Sequence, residues 1–142
     1  MNWLVKEEPT HYAFAHLQRD GRTTWSGVRN ALAQKHLKAM SKGDRVFYYH
    51  TGDEKSVVGI ATVASAPRPD PDDPSGKLAV VDIVPVGPLP RPVTLSAIKA
   101  DAFFADFALV RMARLSVMPV SDTQWERIAS MGGAGTKAGG QF

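Results

Sequence analysis

The chain has 142 residues, a net charge of +3 and a pI of about 9.3, which suits one domain with a hydrophobic core of its own. Apolar residues make up 44% and charged residues 22%, so the chain as a whole is not disordered. It contains no cysteine, which excludes disulfides, thiolate zinc sites and cysteine nucleophiles. The opening Met1-Asn2-Trp3-Leu4-Val5-Lys6 lacks the pattern of a signal peptide, and nowhere do about eighteen apolar residues run together. The expected location is therefore cytoplasmic, or nucleoid-associated in a bacterium. The basic balance permits a polyanionic partner, although a nonspecific DNA binder carries denser charge.

Residues 2–6 read as a short strand ended by Glu7-Glu8-Pro9, because Pro9 lacks an amide donor and disfavours helix at the residue before it. Thr10 is expected to cap a helix over 11–19, with Phe14 and Leu17 inward and Asp20-Gly21 as its exit. Val28, Ala31, Leu32 and Leu37 recur at helical spacing, and 40–44 closes that helix. The aromatic and branched run 45–50 predicts a strand that returns as 56–63 after a loop, giving a hairpin. Residues 67–77, with four prolines and four aspartates, predict a loop; 78–84 predict a central strand. Gly87-Pro88-Leu89-Pro90-Arg91-Pro92 is not expected to be regular structure. Thr94 is expected to cap a helix over 95–100, followed by a helical turn within 101–107 and a strand over 114–120. Ser121-Asp122-Thr123-Gln124 is a capping box that opens a helix over 122–131, with Trp125 and Ile128 inward. Gly132-Gly133 stops it, and 132–142 is expected to be a disordered glycine-rich tail. The order of elements gives an α+β fold with a mixed, curved sheet.

One stretch does not read as core. Thr23-Thr24-Trp25-Ser26-Gly27-Val28-Arg29-Asn30 sets an aromatic slab among hydroxyls, a glycine that lets backbone approach a flat group, and two side chains with planar donors. Such parts stack on and hydrogen-bond a planar polar group, and a nucleobase is the obvious one.

Together with Trp3-Leu4-Val5-Lys6-Glu7-Glu8-Pro9, Trp25-Ser26-Gly27-Val28-Arg29-Asn30, Phe47-Tyr48-Tyr49-His50-Thr51, Val58-Gly59-Ile60-Ala61 and Arg114-Leu115-Ser116-Val117-Met118-Pro119-Val120, the chain resembles the EVE domain family of the PUA-like superfamily, more distantly related to the YTH readers. The resemblance spans residues 2 to about 131. It implies a curved mixed sheet partly closed into a pseudobarrel and flanked by helices. It also implies a pocket for a flipped modified base, typically methylated or further oxidised cytosine in DNA. The family usually has Ser where Glu7 stands, an aromatic residue where Ala31 stands and Arg where Gln34 stands, so this chain adds a carboxylate and lacks an arginine at the expected rim.

Trp25 is the first candidate for a pocket wall, with a core tryptophan as the alternative; stacking on a base contributes ~1–3 kcal/mol. Gly27 and Val28 lie at a helix start, where free amides point outward. Arg29 suits a phosphate or a base edge, or an ion pair with Glu8 or Asp44. Asn30 suits loop bracing more than direct readout. Lys6 and Glu8 leave the first strand near the implied pocket, and a carboxylate there can accept from the exocyclic amine of cytosine; Glu7 reads as a solvated charge. Tyr48 and Tyr49 point to opposite faces, so one is core and the other faces the site; the expected wall is Tyr49–Thr51. His50 and Thr51 end that strand, and Arg114 and Ser116 are expected to share a strand face toward phosphate or base. His11, His16, His36 and His50 form no metal motif, and no nucleophile elbow, phosphate loop or dinucleotide fingerprint is present. No cofactor is expected. The resulting reading is a non-enzymatic reader of 5-methylcytosine or 5-hydroxymethylcytosine in DNA. The rivals are an RNA reader, a small-molecule or nucleotide-processing enzyme relying on Glu8 or His50, and an adaptor acting through the proline-rich loop.

Overall fold

The computed structural model describes residues 1–134. The first strand, β1 (Asn2–Glu7), pairs in parallel with β3 (Arg45–His50) on one side and antiparallel with the edge strand β7 (Val117–Val120) on the other. β3 forms the expected hairpin with β4 (Ser56–Val63), which pairs with the 16-residue β6 (Ala79–Thr94); β6 in turn carries β2 (Thr23–Trp25) and the short β5 (Arg68–Pro69). The strand order β2-β6-β4-β3-β1-β7 makes a mixed sheet that curls into a half-barrel, which is the α+β PUA-like architecture expected.

Both faces of the sheet are covered. The hydrophobic residues of β1 and β3 are buried throughout, which is why these strands read as continuous apolar runs. On one face Phe47 stacks on Trp125 of α6 (Asp122–Met131), with ring centroids 3.6 Å apart. On the other, Tyr48 receives the edges of Phe14 and Trp25, each with centroids at 5.4 Å. α6 begins with the predicted capping box, Ser121 and Gln124 each accepting from the other's amide. Trp3 anchors β1 by donating its indole N–H to Asp44 at 2.9 Å.

Several expectations are corrected. The single helix over 11–19 is two: α1 (Pro9–Tyr12), with Glu8 rather than Thr10 at the N-cap, and α2 (Phe14–Asp20), separated by an extended Ala13. Pro9 occupies the first helical turn, where its missing N–H has no partner to lose. The region 87–92 belongs to β6. Pro88 pairs with Gly59, whereas the residues from Leu89 to Pro92 have no partner on β4 before Val93 meets Val57, so the prolines fall at an irregularity where no ladder donor is required. The loop 67–77 is organised: Arg68–Pro69 pairs with β6, and the Asp73 carboxylate accepts from the amides of Ser75, Lys77 and Leu78. After α4 (Leu95–Lys99), which Thr94 caps, come a 3-10 turn (Ala102–Phe104) and α5 (Ala108–Arg111). β7 starts only at Val117, so Arg114 and Ser116 lie outside it. In the tail expected over 132–142, Gly132 caps α6 and Ala134 is buried; 135–142 lie outside the described residues.

Gly59 fixes how closely α2 approaches the sheet, because a Cβ there would lie 2.6 Å from the ring of buried Phe14. Gly59→Ala is therefore expected to lower stability by about 1–3 kcal/mol through overpacking, read from chemical denaturation; an unchanged midpoint would mean that Phe14 is free to move.

Candidate nucleic-acid interface

The segment 25–30 leaves β2 and enters α3 (Ala31–Lys38). Trp25 is the last residue of β2 and is 6% exposed, its edge-on contact with Tyr48 pinning it to the sheet. Gly27 adopts φ +75° with open space where a side chain would stand, so the backbone is bare at that point. Val28 is buried. Asn30 caps α3, its Oδ1 accepting from the Ala33 amide at 2.9 Å, which is the bracing role weighed for it. Arg29 is exposed and pairs with neither Glu8 nor Asp44; Asp44 is taken by the Met1 ammonium, Trp3 and the Ser41 amide.

Two buried or half-buried groups hold this segment. Gln34, expected at the rim, is buried instead: its Nε2 donates to Val28 O at 2.7 Å and Ala79 O at 3.2 Å, and its Oε1 accepts from Ala79 N at 2.9 Å. It ties the segment to β6. Asp82 accepts from the Thr24 hydroxyl at 2.7 Å and from Arg22 and Arg68 at 2.9 Å. Desolvation alone would raise its pKa, but the hydrogen bonds from Thr24, Arg68 and Arg22 prevail and hold it at about 2.

The remaining candidates separate by sheet face. Lys6 and Tyr49 are register partners and therefore project to one face, opposite Val5 and Tyr48. The Lys6 ammonium donates to Ala113 O at 2.9 Å and stands 5.6 Å above the Tyr49 ring; burial lowers its pKa and raises that of Tyr49. With Thr51, Gly52, Lys55, Leu95, Lys99, Leu109, Val110 and Ala113 they line a cavity of about 180 Å³. Trp25 is not part of this lining. Glu8 stands behind it, its carboxylate facing Gly52 and accepting from Thr51 Oγ1 at 3.5 Å. Ser116 contributes its carbonyl to the Lys6 amide. Glu7 is not a solvated charge: its carboxylate accepts from the Glu8 amide and pairs with His11 at 3.0 Å. Nor does His50 point a free nitrogen at a ligand. Its Nε2 accepts from the Phe14 amide at 3.0 Å, which leaves the proton on Nδ1 for Glu54 at 2.9 Å. It is a latch for α2.

Sequence reasoning missed how the cations group in hollows on the surface. A hollow lined by Arg68, Lys38 and Lys77 shares the last two with one lined by Arg29 and Lys35. The neighbouring hollow holds Asn30, Arg111, Met112 and Arg114, and meets the Lys6 cavity at Ala113. No carboxylate lines any of the four, whereas the hollow beside α6 carries Asp101 and Glu126. Among the described residues, ion pairs claim Arg19, Arg22, Arg68 and Arg127 but none of Lys6, Arg29, Lys35, Lys38, Lys55, Lys77, Lys99, Arg111 or Arg114. The spacing of these cations in sequence carries no signal; only the folded chain aligns them. Among the described residues no cluster of His, Asp and Glu suits a metal ion, and no helix is long and apolar enough to cross a membrane.

A family profile described as the EVE domain matches residues 1–131. Rpa0253 of Rhodopseudomonas palustris, solved by NMR, superimposes with a TM-score of 0.91 at 43% identity, covering 99% of each chain. Chicken (Gallus gallus) thymocyte nuclear protein 1 is 29% identical across 92% of this chain and 68% of its own. The fold is shared with human THYN1 in complex with 5-methylcytosine-containing DNA, at a TM-score of 0.84 and 22% identity over 96% of this chain and 98% of that one.

Removing the Gln34 amide leaves a buried N–H and two carbonyls without it, so Gln34→Ala is expected to cost about 2 kcal/mol or more and to speed hydrogen exchange at the Ala79 amide. Slow exchange there in the variant would show that the segment is held otherwise. Asp82 contributes stability that is complete above its ordinary pKa of 3.8 and is lost as pH falls toward about 2. Asp82→Asn should flatten acid unfolding in that window, as followed by circular dichroism.

Proposed function

The chain belongs to the EVE domain family, and from that premise we propose that it is a non-enzymatic reader of a modified base, 5-methylcytosine or 5-hydroxymethylcytosine in DNA. The observation that carries this reading is the set of cations without ion pairs, Arg29, Lys35, Lys38, Lys77, Arg111 and Arg114, in hollows free of lining carboxylates that flank the segment 25–30. Such a set neutralises phosphates and releases counterions, fixing a strand without reading its sequence. The fold likeness to human THYN1 with methylated DNA supports the same ligand class.

In this reading Arg29 and Arg114 hold the strand, while the segment 25–30 takes the extruded base. Trp25, fixed by Tyr48, is the wall. The amides of Gly27 and Val28 meet a base edge over the open side of Gly27, and Glu8 accepts from an exocyclic amine; Asn30 and Ser116 shape the surround. Extrusion costs a few kcal/mol, which stacking and edge hydrogen bonds must offset. One methyl group yields about tenfold to two-hundredfold discrimination, so selectivity is modest.

Fluorescence anisotropy on duplexes of one sequence bearing cytosine, 5-methylcytosine or 5-hydroxymethylcytosine tests this, with a matched RNA as competitor. Because Trp25 is buried, Trp25→Ala would confound binding with loss of packing; Trp25→Phe is the informative change. Wild type should prefer a modified duplex, Trp25→Phe should narrow that preference, and Arg29→Glu should weaken all duplexes alike with a shallower salt dependence. Equal affinity for all three duplexes would sink the modified-base reading.

A further inference from the structure

We propose that the cavity between the end of β1 and helices α4 and α5 is a separate site for a compact phosphate monoester, with a nucleoside monophosphate as its type of ligand. It stands on the cavity's own lining and does not require that a modified base be read. The sheet itself separates it from the segment 25–30: Lys6 and Tyr49 face the cavity, while Tyr48, the next residue along, packs against Trp25 on the opposite face.

The lining sets the ligand's charge. Three lysines, Lys6, Lys55 and Lys99, line one small cavity with Thr51 and no carboxylate. Lys6 is the informative one. It uses one donor on Ala113 O, and an ammonium has three, so two remain for a ligand in the cavity. No ion pair among the described residues compensates this half-buried charge. A phosphate monoester brings about −1.5 to −2 at neutral pH, matching several lysines better than a monocarboxylate does. The long contact from Thr51 to Glu8, at 3.5 Å, is readily exchanged for a closer phosphate oxygen.

The walls set the ligand's body. Leu95, Leu109 and Val110 from the two helices line the cavity together with Tyr49, so apolar and aromatic walls stand beside the cations. The volume of about 180 Å³ lies below the roughly 300 Å³ at which pockets for drug-sized ligands begin, which favours a single nucleotide unit over a longer ligand. The cavity is also braced: the Leu95 amide donates to Lys55 O at 2.8 Å and the Thr51 amide to Glu7 O at 2.9 Å, tying α4 and the 51–55 turn to β1. The same chemistry comes from two sources, a free mononucleotide or the terminal phosphate of a bound strand.

The test is a 1H–15N NMR titration of the full chain with deoxycytidine 5′-monophosphate, with deoxycytidine and with inorganic phosphate. The nucleotide should give saturable shifts at the amides of Lys6, Thr51, Lys99 and Leu109, and bind more tightly than either fragment. Lys99→Glu should weaken it by about tenfold or more; if that variant loses its dispersed spectrum, Lys55→Glu, at an exposed turn, carries the same expectation. Displacement of the nucleotide by a 5′-phosphorylated oligonucleotide, but not by its 5′-hydroxyl counterpart, supports the site and identifies a strand end as the source; displacement by neither supports it with a free nucleotide. Absence of saturable shifts, shifts confined to 26–30, binding of deoxycytidine or phosphate as tight as that of the nucleotide, or unchanged affinity in the folded lysine variant would overturn the proposal. The duplex preference measured by anisotropy fails or holds independently of these results.

Discussion

The parallel pairing of β1 with β3 is the constraint on which the rest depends. It places Leu4 opposite Phe47, Val5 opposite Tyr48 and Lys6 opposite Tyr49, and strand alternation then sends successive pairs to opposite sides of the sheet. One side receives Trp125, the other Trp25 and Phe14. A slip of one residue would exchange the two sets and bury Lys6 where Val5 now packs. The Trp3–Asp44 hydrogen bond and the continuous apolar run make that register expensive to leave.

The strands and the last helix were legible because their signals are local: branched and aromatic runs at 45–50 and 56–63, and a capping box at Ser121. The candidate segment 25–30 was legible as an oddity of composition, and the family resemblance gave it meaning. What could not be read were features set by distant partners. Pro88 sits in a strand because Gly59 lies opposite it and because the residues that follow pass β4 unpaired. Gln34 looks like a surface residue at a helical position, yet Val28 and Ala79 converge on its amide and draw it inside. His50 reads equally as ligand or latch until the Phe14 amide is placed on its Nε2.

Charge behaves in the same way. The chain is only slightly basic, and nothing in its sequence groups Arg29, Lys77, Arg114 and Lys99. Selective neutralisation makes the difference: Asp82, Asp20 and Asp101 engage Arg22, Arg68, Arg19 and Arg127, and the lysines left over line hollows without carboxylates. A modest net charge is thereby distributed unevenly over the surface.

β1 also has a second neighbour, and its position in the chain has a temporal meaning. Asn2 pairs with Val120, so β1 keeps one bare edge until residues 117–120 have left the ribosome. Closure across so long a loop is entropically costly and makes for slow folding. Until β7 arrives, an apolar strand with unpaired donors and acceptors is open to a wrong partner. Newly made chains are therefore most vulnerable to aggregation in the interval before residues 117–120 emerge, and truncation ahead of β7 would make that state permanent.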